Sequence, residues 1–234
     1  YEHPTPVQAE SIPRLMSGRD LLVRSKTGTG KTTAFAIPIL ERIPDGANQV
    51  RALVLAPTRE LAIQVAEEVE RLGTYRKVRV TAIYGGVALG PQIDALESGV
   101  EVVVGTPGRL LDHIRRGNLK LGNCVMVGLD EADEMLSMGF LEEVSKILDN
   151  VPPKPQMLLF SATVEANLRS LVQRYANEPE DLFLSASDDH PTKTQVLSCV
   201  LLKLIHVINH LDAHSLMHES AIGLNELERE VERR

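Results

Sequence analysis

The chain has 234 residues, 43% of them hydrophobic and 24% charged, which fits one large soluble α/β domain with its own core, or such a domain with an appendage. No apolar run reaches the roughly 18 residues needed to span a bilayer, so no membrane partner is expected. The formal net charge of −7 argues against a broad basic face dedicated to nucleic acid, while leaving room for a local basic patch.

In chain order, short apolar runs fall at 20–24, 52–56, 78–84, 100–104, 124–129, 157–160 and 182–184. Several are rich in Val, Ile and Leu without polar alternation, the pattern of strands buried on both faces of a parallel sheet. Amphipathic stretches at 32–42, 60–72, 91–97, 109–115, 140–148 and 165–175 lie between them. Strands alternating with helices predict βαβ units and a doubly wound parallel sheet with helices on both faces.

The character of the chain changes near residue 186. The expected organisation is a lobe at 1–186, a polar linker at 187–194 (SDDHPTKT) and a helical tail at 195–234. In the tail, Leu197, Leu201, Leu204, Ile208 and Leu211 form a heptad-like seam about two heptads long. It reads as a packing or oligomer face. His206, His210, His214 and His218 recur every four residues, as a polar stripe or a metal-chelating one. Cys124 and Cys199 stand far apart and outside any metal-ligand spacing, and read as reduced thiols of an intracellular, cytoplasmic or nuclear, protein. A first residue of Tyr1 suggests trimming from a longer chain.

Two local patterns carry chemistry. Ser25, Lys26, Thr27, Gly28, Thr29, Gly30, Lys31 and Thr32 stand between an apolar run and a helix. Glycines there let backbone amides close around phosphate oxygens, and the helix aims its positive end at them. Lys31 would reach the β- and γ-phosphates of a nucleotide and Thr32 would ligate Mg2+. The generic phosphate-loop pattern places Gly where this chain has Ser25. About a hundred residues later, an apolar strand runs into Asp130-Glu131-Ala132-Asp133. Asp130 would hold the Mg2+ through water, and Glu131 would orient or deprotonate an attacking water.

With these residues in view, the chain resembles the DEAD-box ATP-dependent RNA helicases over residues 1 to about 186, as their N-terminal RecA-like lobe. The acidic tetrad spells the family name. Residues 4–8 (PTPVQ) resemble its Q motif, 25–32 its motif I, 57–61 (PTREL) motif Ia, Gly85-Gly86 the glycine pair, 106–109 (TPGR) motif Ib and 161–163 (SAT) motif III, all in the family's order. The resemblance implies a P-loop NTPase that uses ATP and Mg2+, with Lys31, Asp130 and Glu131 catalytic. Gln8 would read the adenine edge, since an amide offers a donor and an acceptor in one plane. Pro57, Thr58, Arg59, Gly86, Thr106, Pro107, Gly108 and Arg109 would contact RNA without reading bases. Asp133, Ser161 and Thr163 would couple nucleotide state to strand handling. Read without the family, Gln8 is a polar residue opening a helix, Arg59 an ion-pair partner, and Arg109 the cap of a surface helix.

The same resemblance implies a second RecA-like lobe that supplies arginines to the γ-phosphate. Nothing from residue 187 onward resembles it, so the chain by itself is expected to bind ATP weakly, hydrolyse it poorly and not unwind. The competing reading is a nucleotide-dependent RNA- or protein-binding clamp with an oligomerising tail.

Overall fold

The computed structural model describes residues 3–26 and 28–184, and those from Thr5 onward belong to one compact unit. Thr27, the expected boundary at 186, the linker and the tail with its Leu seam, Cys199 and His stripe lie outside the described residues.

Among the described residues, seven parallel strands form one sheet in the order β3-β4-β2-β5-β6-β1-β7. They are β1 (Leu21–Arg24), β2 (Ala52–Leu55), β3 (Val80–Ile83), β4 (Val102–Gly105), β5 (Met126–Leu129), β6 (Gln156–Ser161) and β7 (Glu180–Phe183). The central strands β2, β4, β5 and β6 are buried along their whole length, as expected of runs without polar alternation. The edge strands differ. β3 is mostly half-buried, and β7 alternates half-buried and exposed residues, so it begins two residues earlier than its apolar end at 182–184 suggested.

Successive strand residues face opposite sides of the sheet. On one side Leu53, Leu55, Val103, Val127, Leu129, Met157 and Leu159 pack with residues of α5 (Pro107–Arg115), α7 (Leu141–Leu148) and α8 (Ala166–Tyr175). On the other, Phe160 of β6 meets Phe35 of α2 (Lys31–Arg42), ring centroids 5.5 Å apart and tilted 57°. Helices α3 (Arg59–Leu72) and α4 (Gly90–Glu97) match the expected segments within two residues at each end. Gly105 closes β4 where no side chain fits. A Cβ there would lie 2.4 Å from the Ile83 carbonyl oxygen.

Two helices were not among the expected segments. α1 (Pro6–Met16) carries two prolines. Pro6 sits in its first turn, where the missing N–H costs nothing, and Thr5 with Gln8 forms a capping box. α6 (Ala132–Ser137) is a short helix directly after the acidic loop.

Register decides where the site lies. Leu55 is level with Gly105 and Leu129, Leu129 with Leu159, and Arg24 with Ser161. The segments after β1, β2, β3, β4, β5 and β6 therefore all emerge at the C-terminal edge of the sheet, where open α/β sheets bind ligands.

Candidate functional site

Six of the motif segments follow strands directly, and the seventh is brought to the phosphate loop by Gln8. Gln8 is buried. Its Oε1 accepts from the Thr5 N–H at 3.0 Å, and its Nε2 donates to the Gly30 carbonyl at 3.2 Å. One amide hydrogen and one lone pair remain for a further group. A Cβ on Gly30 would lie 2.5 Å from Gln8 Nε2, and Gly30 has φ +86°, so the close approach and the backbone both require glycine.

The loop itself is tied internally. Ser25 is buried, and its Oγ lies 3.2 Å from Thr29 Oγ1, which donates to the Lys26 carbonyl at 2.9 Å. The serine that replaces the usual glycine thus gives the loop an additional internal contact. Lys31 opens α2 as a buried ammonium whose Nζ reaches the Ser25 carbonyl at 3.4 Å. Gly30 offers no side-chain cap, which leaves first-turn N–H groups of α2 for an anion. Half-buried Thr32 follows on the same turn.

Asp130 lies just past β5, and burial pushes its carboxyl up to about 6; the positive charge of Lys31 draws it down and Glu131 pushes it up. The Glu131 N–H donates to Asp130 Oδ1 at 3.0 Å. Glu131 holds φ 49° and ψ 51°, a left-handed conformation worth about 1–3 kcal/mol of strain in a non-glycine residue. That kink separates β5 from α6. No group of three or more His, Cys, Asp or Glu able to hold a metal occurs among the described residues.

Asp133, Ser161 and Thr163 form a closed knot. Asp133 Oδ2 accepts from both the N–H and the Oγ1 of Thr163, each at 2.8 Å. Ser161 Oγ accepts from the Asp133 N–H at 3.2 Å and donates to the Thr163 carbonyl at 2.6 Å. Burial raises the Asp133 carboxyl, but the two bonds from Thr163 outweigh it and hold the group below its ordinary value. The Ser161 carbonyl accepts from the Ser25 N–H at 3.0 Å, which joins the knot to the phosphate loop.

On the neighbouring strands, Pro57 is buried, and Thr58 caps α3 by accepting from the Leu61 N–H at 3.2 Å. Arg59 is exposed and stacks 4.9 Å over the Tyr84 ring rather than forming a local ion pair. A Cβ at Gly86 would lie 4.0 Å from Arg59 Nη1, so these two segments adjoin. Thr106 opens α5 without a capping bond from its hydroxyl, and is followed by buried Pro107 and exposed Gly108. Arg109 does not cap a surface helix: Nη1 donates to Gln92 Oε1 at 3.3 Å and Nη2 to the Val87 carbonyl at 3.1 Å. Tyr84, Gln92 and His113 belong to this side of the site and were missed by sequence reasoning. An aromatic beside the Gly-Gly pair was the one visible signal.

The family model described as DEAD/DEAH box helicase matches residues 5–171. The chain belongs to the DEAD/DEAH box helicase family. Among its curated relatives are the DEAD-box ATP-dependent RNA helicases CshA of Bacillus subtilis (strain 168), 47% identical, and of Geobacillus kaustophilus, 50% identical, each over 188 residues. Those matches take in 80% of this chain and 38% and 40% of the two relatives, so the chain spans about two fifths of their length. Two solved structures agree in fold. A DEAD box protein from the hyperthermophile Methanococcus jannaschii has a TM-score of 0.75 at 44% identity, covering 78% of this chain and 50% of that one. A hypothetical ATP-dependent RNA helicase from Sulfolobus tokodaii has a TM-score of 0.73 at 38% identity, covering 79% and 54%.

Proposed function

We propose that this chain is the ATP-binding lobe of an ATP-dependent RNA helicase, coupling ATP binding and hydrolysis to sequence-independent binding and unwinding of RNA. The observation that carries the reading is the continuous hydrogen-bond path from the Ser25 N–H through the Ser161 carbonyl and hydroxyl to Asp133 and Thr163. That path ties the phosphate loop, the acidic loop and the end of β6 into one body.

In this reading Gln8 selects the adenine edge with its remaining donor and acceptor. Residues 25–30 and the first turn of α2 cradle phosphate oxygens. Lys31 exchanges its long contact to the Ser25 carbonyl for phosphate oxygens. The donors offered to a metal are the Thr32 hydroxyl and the Asp130 carboxylate, hard oxygens suited to Mg2+. A carboxylate raised by burial gains from a cation beside it, so these residues fit the ion. Bound with the nucleotide, Mg2+ neutralises charge building on the phosphates. Glu131 orients a water and accepts its proton. Pro57, Thr58, Arg59, Gly86, Thr106, Pro107, Gly108 and Arg109 line the RNA strand, and Asp133, Ser161 and Thr163 transmit nucleotide state to them. Arginines from a second RecA-like lobe complete the γ-phosphate site. The same reading places the protein in the cytoplasm, and membership of a helicase family favours this motor over a clamp without unwinding.

The test is ATP turnover with and without single-stranded RNA, comparing the chain with Glu131→Gln. RNA-stimulated turnover abolished by the substitution, or nucleotide binding with turnover restored only on adding a second lobe, supports the reading. Failure to bind nucleotide under any of these conditions refutes it.

A further inference from the structure

Gln92 sits on α4, buried, at the centre of a side-chain cluster that joins the glycine pair to α5. Its Nε2 donates to the Tyr84 carbonyl at 3.0 Å, while its Oε1 faces Arg109 Nη1 at 3.3 Å and His113 Nε2 at 3.0 Å. The orientation follows from the partners. A guanidinium only donates and a carbonyl only accepts, so the amide oxygen must face Arg109 and the amide nitrogen Tyr84. His113 Nε2 must then carry the proton. Its Nδ1 is left to accept from Asn118 Nδ2 at 3.4 Å. His113 is fully buried, and burial, with the charges of Arg109 and Arg116 outweighing that of Asp112, holds it below its ordinary value.

The cluster grips the exposed Gly85-Gly86 turn from both sides. Gln92 holds the carbonyl before it at Tyr84, and Arg109 holds the carbonyl after it at Val87. Beyond its chain neighbours, nothing lies within 4 Å of where a Cβ on Gly85 would be, so open space faces that side of the turn. A guanidinium carries five N–H donors. Arg109 spends two on Gln92 and Val87, leaving three for a phosphate.

We propose that Gln92, backed by His113, is a positioning residue for the RNA strand: it fixes Arg109 and the glycine turn as one preordered phosphate-binding unit. This rests on the RNA-binding reading above. An arginine already held in place loses less freedom when it meets a phosphate, so affinity depends on a residue that never touches RNA.

The experiment is fluorescence anisotropy of the chain with a fluorescein-labelled single-stranded RNA at several KCl concentrations, with binding of a fluorescent ADP as the control. Gln92→Leu is expected to raise the RNA Kd about 5- to 10-fold. The slope of log affinity against log salt should fall by about 0.7, the share of one single-strand phosphate contact. ADP binding should stay within two-fold of wild type. Arg109→Ala should match it, and the double variant should be no weaker than Arg109→Ala, since both remove one coupled unit. Gln92→Glu keeps an acceptor for Arg109 and His113 but gives up the donor to the Tyr84 carbonyl, so its RNA affinity should fall between those of wild type and Gln92→Leu. Gln92→Met makes the same test as Gln92→Leu if the leucine variant does not fold. Wild-type RNA affinity and slope in Gln92→Leu, with Arg109→Ala weakened, would overturn the positioning role while sparing the RNA reading. Loss of neither affinity nor slope in Arg109→Ala, or no RNA binding by the wild type, overturns both.

Discussion

Replacing Ser161 with alanine removes one oxygen from the knot between the acidic loop and the end of β6. Ser161 has no solvent exposure, and its Oγ makes two bonds, accepting at 3.2 Å and donating at 2.6 Å. A typical intramolecular bond contributes about 0.5–1.5 kcal/mol net, and an abandoned buried partner costs about 1–3 kcal/mol. The two abandoned groups fare differently. Thr163 is exposed, so water can reach its carbonyl, whereas Asp133 is half-buried and its N–H is less easily rehydrated. A loss of about 2 kcal/mol follows from one bond largely replaced by water and one not. In a domain of this size that corresponds to a melting temperature lower by roughly 4–8 °C. Differential scanning calorimetry of Ser161→Ala beside wild type reads it directly. A melting temperature within 1 °C of wild type would refute the view that this hydroxyl fastens the two loops.

Gly30→Ala should cost about 1–2 kcal/mol through its left-handed backbone alone, and more because Gln8 must withdraw from its contact at 2.5 Å; nucleotide titration should show weakened binding beyond the drop in stability. Glu101 is fully buried and accepts from the N–H groups of Asn48 at 2.7 Å and Arg79 at 2.8 Å; burial raises its carboxyl, but these bonds and the Arg79 guanidinium outweigh it and hold it low. Its stabilising contribution is therefore complete above the ordinary carboxylate value and lost as pH falls through the lower folded value, so acid unfolding should flatten in Glu101→Gln when followed by circular dichroism. Cys124 is 1% exposed, and burial pushes its thiol up to about 12. In a Cys199→Ser background, Ellman's reagent at pH 8 should therefore find no reactive thiol until denaturant is added.

Much of the fold was legible because the central strands are buried on both faces and so appear as unbroken apolar runs. The edge strands β3 and β7 were read with shifted ends, since a half-exposed strand loses that signature. α1 was read only as a helix start at Gln8 and given no bounds, because Pro6 and Pro13 resemble helix breakers, although the first occupies a position that tolerates proline. Gln8, Lys31, Asp130 and Ser161 were legible as motif members, and the register of the strands brings their segments to one edge. What remained hidden depends on contacts between distant parts of the chain. Arg109 reaches Gln92 and Val87, 17 and 22 residues away, and no local spacing announces such a partnership.

The central claim, that this lobe binds ATP through Gln8 and the loop at 25–32, is tested most directly by competition. A fluorescent ATP analogue is titrated with Mg2+ into wild type, Lys31→Ala and Gln8→Ala, then displaced by ATP or GTP. The account predicts saturable binding by wild type, displacement by ATP in preference to GTP, loss of binding in Lys31→Ala and loss of the preference in Gln8→Ala. Binding that survives Lys31→Ala unchanged, or wild type that ATP and GTP displace equally, would contradict it.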